Sequence, residues 1–159
     1  MLTLCLMLSA VAFAEGNKPA TSYEAMELTM PAVGLRIFVP ANMDSIGGDE
    51  EAYDLGYRFN CSSDTFDLSV WVHDSRDMDL ADYAAFFAER SGMTAAPDRV
   101  NGFAVQLLTD PSKPGDYTIL LAAPDQEAPQ AIYELSFSCT GEADVKLAEE
   151  IMGTLSVME

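Results

Sequence analysis

The stretch from Leu55 to Gly92, LGYRFNCSSDTFDLSVWVHDSRDMDLADYAAFFAERSG, decides the fold. In its first half, apolar residues recur at every second position, which is the period of a β-strand with one buried face. The polar residues 62–65 interrupt this pattern and favour a short turn. We therefore predict an antiparallel hairpin whose inward positions are Leu55, Tyr57, Phe59 and Cys61 on one strand and Phe66, Leu68, Val70 and Val72 on the other.

The register of this hairpin follows from the need to bury its apolar positions. Pairing Cys61 with Phe66 makes every inward position apolar, whereas a slip of one residue would bury Arg58. In that register Gly56 lies opposite Trp71 on the outer face, and the missing side chain leaves room for the indole ring.

Three residues of the predicted outer face, Arg58, Trp71 and His73, form a candidate partner-binding surface. They combine a cation, an indole ring and an imidazole on one side of the hairpin, a combination suited to recognition of another molecule. The alternative is that a helix packs over this face.

An amphipathic helix follows the hairpin. Asp77 or Asp79 can cap its N-terminus, because a short carboxylate side chain accepts hydrogen bonds from the free amides of the first turn. Gly92 marks its end. The helix carries a stripe that must pack on the sheet, made of Leu80, Tyr83, Ala84 and Phe87.

Further segments complete the predicted fold. Apolar patterns predict strands at residues 25–30, 33–39, 102–109, 116–123 and 130–139, a second helix at residues 141–152 and a short last strand at residues 154–158. Residues 40–52, with Gly47-Gly48 and an acidic run, favour a mobile surface loop. Because the links between strands are short, we predict an α+β fold with a central, mostly antiparallel sheet of about six strands and two main helices packed on it.

Residues 1–14, MLTLCLMLSAVAFA, are apolar and uncharged and end in the small-x-small pattern Ala12-Phe13-Ala14. They are too few to cross a bilayer, which takes about 20 helical residues, so we predict a signal peptide cleaved after Ala14. A buried N-terminal strand or helix is the alternative. Because no Lys or Arg precedes the apolar run, we expect the true start codon to lie upstream. Residues 15–24 are then a flexible lead-in, and residues 25–159 form a single domain.

The mature part carries the whole formal net charge of −18, since residues 1–14 hold no charged side chain. A surface of that sign repels the phosphates of nucleic acids and the headgroups of anionic lipids. We therefore expect no nucleic acid partner and no stable membrane insertion. The predicted signal peptide indicates a secreted or extracytoplasmic location, and we further expect a monomer with no cofactor. Acidity by itself is more typical of solubility than of binding to a cation.

Two cysteines remain after the predicted cleavage, Cys61 and Cys139, and each ends an apolar strand face. An oxidising compartment permits a disulfide between them, which would stabilise the fold by about 4 kcal/mol. Two buried thiols are the alternative, since a bridge requires Cα atoms within roughly 7 Å of each other. Neither cysteine belongs to a Cys-x-x-Cys pair, which disfavours zinc.

A resemblance to a known family rests on four short segments: Leu35-Arg36-Ile37-Phe38-Val39-Pro40, Asn101-Gly102-Phe103, Tyr133-Glu134-Leu135-Ser136-Phe137 and Ile151-Met152-Gly153-Thr154-Leu155. Their order over residues 33–158 resembles the family that shares the fold of the photosystem II extrinsic protein PsbP and the Ran-binding protein Mog1, which includes many small exported bacterial proteins. The resemblance implies a central antiparallel sheet with helices packed against it. It transfers no functional residue, because the family contains several kinds of binding and accessory protein.

His73 is the only histidine of the chain, and Asp74 follows it. A Ser/His/Asp relay needs this histidine to meet a nucleophile, but the chain has no Gly-x-Ser-x-Gly elbow. We therefore predict no catalytic residue, and we interpret His73 as a strand-end histidine that solvent satisfies.

Four aspartates follow the hairpin, at Asp74, Asp77, Asp79 and Asp82. Their spacing does not match an EF-hand loop, and one of them has a capping role, so we predict a structural acidic cluster and no metal site. The sequence favours a non-enzymatic exported binding or accessory protein that acts on a protein or cell-surface partner through a sheet face or through residues 40–52. A secreted hydrolase with an unrecognised site and an acidic Ca²⁺-binding module are the alternatives.

Overall fold

Ten strands and three helices form within residues 18–158, the part of the chain that the computed structural model describes. The strands are β1 (Ala25–Met30), β2 (Leu35–Pro40), β3 (Asp44–Gly47), β4 (Tyr57–Ser62), β5 (Phe66–Asp74), β6 (Thr94–Val100), β7 (Phe103–Thr109), β8 (Asp116–Ala122), β9 (Ala131–Cys139) and β10 (Ser156–Val157). The helices are α1 (Glu50–Asp54), α2 (Leu80–Ser91) and α3 (Glu142–Met152). Within these residues, no helix has the length and apolar character needed to span a membrane.

Seven strands form the central sheet in the order β3-β4-β5-β9-β8-β7-β6, and every neighbouring pair is antiparallel. A second antiparallel sheet contains β1, β2 and β10. The predicted α+β class with an antiparallel central sheet is thus confirmed. The prediction missed β3 and β6, which are the two edge strands of the central sheet.

The two faces of the central sheet pack differently. Its inner face lies against β2 and α3 in the main core, which includes Leu35, Ile37, Leu68, Val70, Leu135, Phe137, Ala148 and Ile151. Its outer face carries a smaller cluster, in which Tyr83 and Ala84 of α2 pack with Leu108, Leu120 and Ile132. The apolar stripe predicted for the first main helix therefore packs on the sheet as expected.

The predicted register of the β4-β5 hairpin is wrong by two residues. Cys61 pairs with Leu68 rather than with Phe66. A shift of two residues keeps each apolar side chain on its original face, so the hydrophobic pattern cannot distinguish these two registers.

A β-bulge between Tyr57 and Phe59 also changes the start of β4. Tyr57 pairs with Trp71, and Leu55 is 75% exposed instead of buried. Gly56 does not face Trp71, because its backbone, at φ +95°, approaches Val72 so closely that a Cβ would lie 2.4 Å from the Val72 carbonyl oxygen.

The predicted disulfide does not form, because Cys61 and Cys139 are free, buried thiols. Strand β5 lies between β4 and β9, so the two cysteines are two strands apart in the sheet. The Sγ of Cys61 lies 3.5 Å from the Sδ of Met43.

Residues 40–52, predicted as a mobile loop, contain β3 and the start of α1. At α2 the structure selects Asp79 from the two predicted caps, since its carboxylate accepts a hydrogen bond from the Asp82 amide at 2.8 Å. Gly92 ends α2 in the left-handed conformation, as predicted.

The predicted signal peptide, residues 1–14, lies outside the described residues. The last part of the predicted lead-in contacts the domain. The Tyr23 hydroxyl donates to the Phe38 carbonyl oxygen at 2.9 Å, and the Ser22 hydroxyl donates to Glu150 at 2.6 Å.

Candidate functional site

The helices leave part of the outer sheet face open. Helix α2 packs mainly on β6, β7 and β8, and α3 packs on β9 and β2 from the inner side. Helix α1 contacts β4, and side chains of α2 reach β5 at His73. Among residues 18–158, neither α2 nor α3 packs over the rest of the outer side of β3, β4 and β5. We call it the uncovered face, and its residues are Asp44, Ile46, Tyr57, Asn60, Asp67, Ser69 and Trp71.

An aromatic pair lies at the centre of the uncovered face. The rings of Tyr57 and Trp71 meet edge to face with their centroids 5.0 Å apart, and both side chains are half-buried. The Tyr57 hydroxyl donates to the Ile46 carbonyl oxygen at 3.3 Å, and Ile46 itself is 64% exposed. Partial burial raises the pKa of Tyr57, with the Asp67 carboxylate adding to this effect, so the hydroxyl stays a neutral donor at neutral pH.

Polar side chains border this pair. The Asn60 amide donates to the Asp67 carboxylate at 2.9 Å, which fixes two neighbouring side chains across β4 and β5. Beyond them, a shallow depression of about 200 Å³ reaches to Ser69, Thr118 and Ser136. The uncovered face thus presents an apolar and aromatic centre beside a floor of hydroxyl and carboxylate groups.

His73 lies at the boundary between the uncovered face and α2. Its Nε2 lies 2.6 Å from the Glu134 carboxylate, and its ring contacts the rings of Tyr83 and Phe87 on α2. The prediction that solvent satisfies His73 is therefore wrong, because a glutamate of the neighbouring strand β9 pairs with it. Glu134 also accepts a hydrogen bond from Ser136 at 2.7 Å. A glutamate therefore separates the histidine from the serine, whereas hydrolytic relays place the histidine next to the nucleophile.

Arg58 is not on the outer face with Trp71 and His73, so the predicted grouping of these three residues is wrong. The bulge directs its guanidinium toward the ring of Tyr53, with the Arg58 Cζ 4.5 Å from the ring centroid, and its Nη1 donates to the carbonyl oxygen of Tyr53 at 2.8 Å. On this side it also lies beside Tyr133 of the inner core. Burial raises the pKa of the Tyr133 hydroxyl, and the positive charge of Arg58 lowers it in part.

Arg58 and His73 nevertheless border one pocket at the end of the sheet. This pocket has a volume of about 400 Å³ and opens between α1 and the ends of β4 and β5. Its lining also includes Tyr53, Leu55 and Asp74. Arg58 and His73 therefore border this pocket from opposite sides of the sheet.

The predicted acidic cluster divides into separate local contacts. Asp79 caps α2, and Asp74 accepts a hydrogen bond from the Arg76 amide at 2.6 Å. In the described part of the chain, no three His, Cys, Asp or Glu side chains come together in a way that would hold a metal ion.

Sequence reasoning missed three residues of the uncovered face, Asp44, Ile46 and Tyr57. Ile46 stands in a four-residue strand, which is too short to show a period. Tyr57 matched the inward period, and only the bulge turns it outward. The glycine before it was a signal, because glycine within a strand pattern often marks a bulge.

Comparisons with known proteins agree with this architecture. Neither a protein-family model nor a curated protein matches the chain. The solution structure of cyanobacterial PsbP (CyanoP) from Synechocystis sp. PCC 6803 matches with a TM-score of 0.56 and 12% identity, over 94% of this chain and 99% of that one. A crystal structure from Bacteroides thetaiotaomicron VPI-5482 matches with a TM-score of 0.50 and 14% identity, over 84% of this chain and 48% of that one. The fold of this chain is therefore PsbP-like.

Proposed function

We propose that this chain is an exported, non-enzymatic binding or accessory protein that holds a protein partner of the cell envelope on its uncovered face. One observation carries the proposal: the half-buried Tyr57 and Trp71 rings lie beside the exposed Ile46 on a part of the outer sheet face over which neither α2 nor α3 packs.

The composition of this surface suits a protein partner. Tryptophan and tyrosine contribute much of the binding energy at protein interfaces, because each buries a large rigid ring while keeping a polar group for a hydrogen bond. The neighbouring Asn60 and Asp67 are held by their mutual hydrogen bond. They form a polar rim around the aromatic centre, as interfaces commonly have.

The contacts of His73 disfavour the hydrolase alternative. A Ser/His/Asp relay would need a hydroxyl next to the imidazole, but Ser136 donates to Glu134. Together with Thr118, whose hydroxyl lies 2.8 Å from that of Ser136, these side chains form a polar ladder across β8, β9 and β5. Such a ladder satisfies buried polar groups next to α2.

The proposal is tested by capturing partners from the cell envelope of the source organism on the immobilised protein. The wild-type protein is compared with Trp71→Ala and with Tyr57→Ala. Phe86→Ala is the matched control, because Phe86 is also a half-buried ring but lies on α2, where the guanidinium of Arg90 packs over it. A circular dichroism spectrum of each variant establishes that it folds.

We expect one envelope protein to be retained by the wild type and by Phe86→Ala, and to be lost with Trp71→Ala and Tyr57→Ala. A partner that all four proteins retain equally would show that binding occurs elsewhere. A robust hydrolytic activity in a broad substrate screen, without any retained partner, would favour the hydrolase instead.

A further inference from the structure

The central sheet has two edges, and they differ in their ability to accept another strand. The β6 edge carries Pro97, which has no amide hydrogen to donate to a neighbouring strand. The β3 edge has no proline, and all four of its residues are exposed. Among residues 18–158, β4 is the only strand that pairs with β3, so no described strand occupies the other side of β3.

The backbone of β3 presents hydrogen-bonding groups on that open side. The Gly48 amide donates to the Arg58 carbonyl oxygen at 3.3 Å, next to the pairs that join Gly47 to Phe59 and Ile46 to Asn60. In an antiparallel ladder the residues alternate between pairs that exchange hydrogen bonds and pairs that do not. The amide and carbonyl groups of Ser45 and Gly47 therefore point away from β4.

The side chains around this edge define the chemistry of what it can accept. The five acidic residues of this region are all exposed: Asp44, Asp49, Glu50, Glu51 and Asp54. Between Arg36 and Arg58 the sequence has no Lys or Arg, and the guanidinium of Arg58 packs on the ring of Tyr53. Ile46 is 64% exposed amid these charges. The edge therefore combines an apolar contact, free backbone groups and negative charge.

We infer that the partner adds a strand to β3, and that this strand alternates apolar and basic side chains. Strand addition supplies main-chain hydrogen bonds. The alternation places apolar side chains beside Ile46 on the outer face and lysine or arginine side chains on the opposite face, where Arg58 contacts Tyr53 of the acidic helix α1. A second copy of this chain is a poor occupant, since its net charge of −18 would repel the same surface. This inference rests on the proposed function and names the chemistry of its partner.

The test uses a capped peptide of about eight residues that alternates lysine and valine, which is long enough for one strand. Amide hydrogen exchange is followed by NMR with and without the peptide. We expect exchange at Ser45 and Gly47 to slow at least about tenfold, because the added strand protects their outward amides. The Ile46 and Gly48 amides already bond to β4 and serve as internal controls.

Two control peptides and two variants separate the contributions of strand alternation, charge, backbone hydrogen bonds and the Ile46 side chain to peptide binding. A peptide of the same composition without alternation, and a glutamate-valine peptide, should leave the exchange unchanged. Ser45→Pro removes one outward amide hydrogen, at an edge position where proline is tolerated. Ile46→Ser removes the apolar side chain that the peptide would contact. Each substitution should weaken peptide binding at least about tenfold. Val157→Ser is the matched control for Ile46→Ser, because Val157 is 58% exposed and lies on β10 in the other sheet.

The outcomes separate this inference from the proposed function. If the peptide shifts the resonances of Tyr57 and Trp71 without protecting Ser45 and Gly47, strand addition is wrong and the uncovered face remains the binding surface. Equal protection by the glutamate-valine peptide would overturn the charge requirement. No response at any of these residues would overturn the inference, and the capture experiment would then decide the proposed function by itself.

Discussion

From the structure, we predict that Cys61 and Cys139 remain two free thiols, which react with a thiol reagent only when the sheet opens. Neighbouring strands lie about 4.8 Å apart, so two steps across the sheet separate the cysteines by about 9.6 Å. Cys61 pairs with Leu68 while Cys139 pairs with Phe66, which adds about 7 Å along the strands. The resulting Cα separation of about 12 Å far exceeds the roughly 7 Å that a disulfide spans.

Burial also slows the reaction of each thiol. Desolvation raises the pKa of both cysteines from 9.0 to about 11, with nearby aspartates adding to the effect. At pH 8 the thiolate fraction therefore falls about a hundredfold, and the thiolate is the reactive form. Steric exclusion slows the reaction further, because Cys61 is 0% and Cys139 is 7% exposed.

The assay counts thiols with a coloured disulfide reagent at pH 8, using Cys5→Ser so that Cys61 and Cys139 are the only cysteines. We expect two thiols in denaturant without reductant, and a rate at least about a hundredfold slower in the native protein. If no thiol appears in denaturant before reduction, the cysteines are bridged and the placement of β5 between β4 and β9 is wrong. Equal rates in both states would refute their burial.

Three further predictions concern stability, each measured by denaturant unfolding. Unfolded thiols ionise near pH 9 and the buried ones near pH 11, so the contribution of the two thiols to stability is constant well below pH 9 and falls between pH 9 and 11, by up to about 1.4 kcal/mol per pH unit for each thiol. Tyrosines with raised pKa values add to the fall above pH 10. Cys61→Ala/Cys139→Ala should therefore reduce this slope, most clearly between about pH 9 and 10, and an unchanged slope would contradict its cause. Gly115→Ala should destabilise the protein by about 3 kcal/mol, because its Cβ would lie 2.0 Å from the Cys139 carbonyl oxygen. The control Gly47→Ala places its Cβ where nothing lies within 4 Å, and it should change stability by less than about 1 kcal/mol. Equal effects of the two substitutions would count against the close contact at Gly115. Asn101→Gly keeps the positive φ but removes the two hydrogen bonds, of 2.6 and 3.1 Å, from the Asn101 amide to the carbonyl oxygens of Gly153 and Leu155. The substitution should lower the free energy of unfolding by about 2 kcal/mol. An unchanged free energy of unfolding would argue against both bonds.

Much of the fold is predictable from local patterns. The bounds of β1 and the Gly92 end of α2 follow from signals within a few residues, which also narrow the cap of α2 to Asp77 or Asp79. The register of β4 against β5 does not, because a shift of two residues leaves the same faces buried. The bulge depends on the close approach of Gly56 to Val72, a tertiary contact that no local period encodes.

The candidate site is less predictable than the fold. Trp71 and His73 lie on the outer face as their alternation with Val70 and Val72 indicates, but α2 contacts His73 and leaves Trp71 half-exposed. That difference depends on where α2 crosses the sheet. Ile46 was beyond prediction, because a short exposed edge strand has the composition of a loop.

The most direct test of the uncovered face as a binding surface is the accessibility of Trp71, the only tryptophan in the chain, with and without the captured partner. In the free protein, we expect acrylamide to quench its fluorescence more than that of a core indole and less than that of the unfolded chain. Partner binding should suppress this quenching, in the wild type and in Phe86→Ala alike. A Trp71 that is inaccessible in the free protein, or whose quenching does not change when the partner binds, would contradict the claim that the uncovered face is the binding surface.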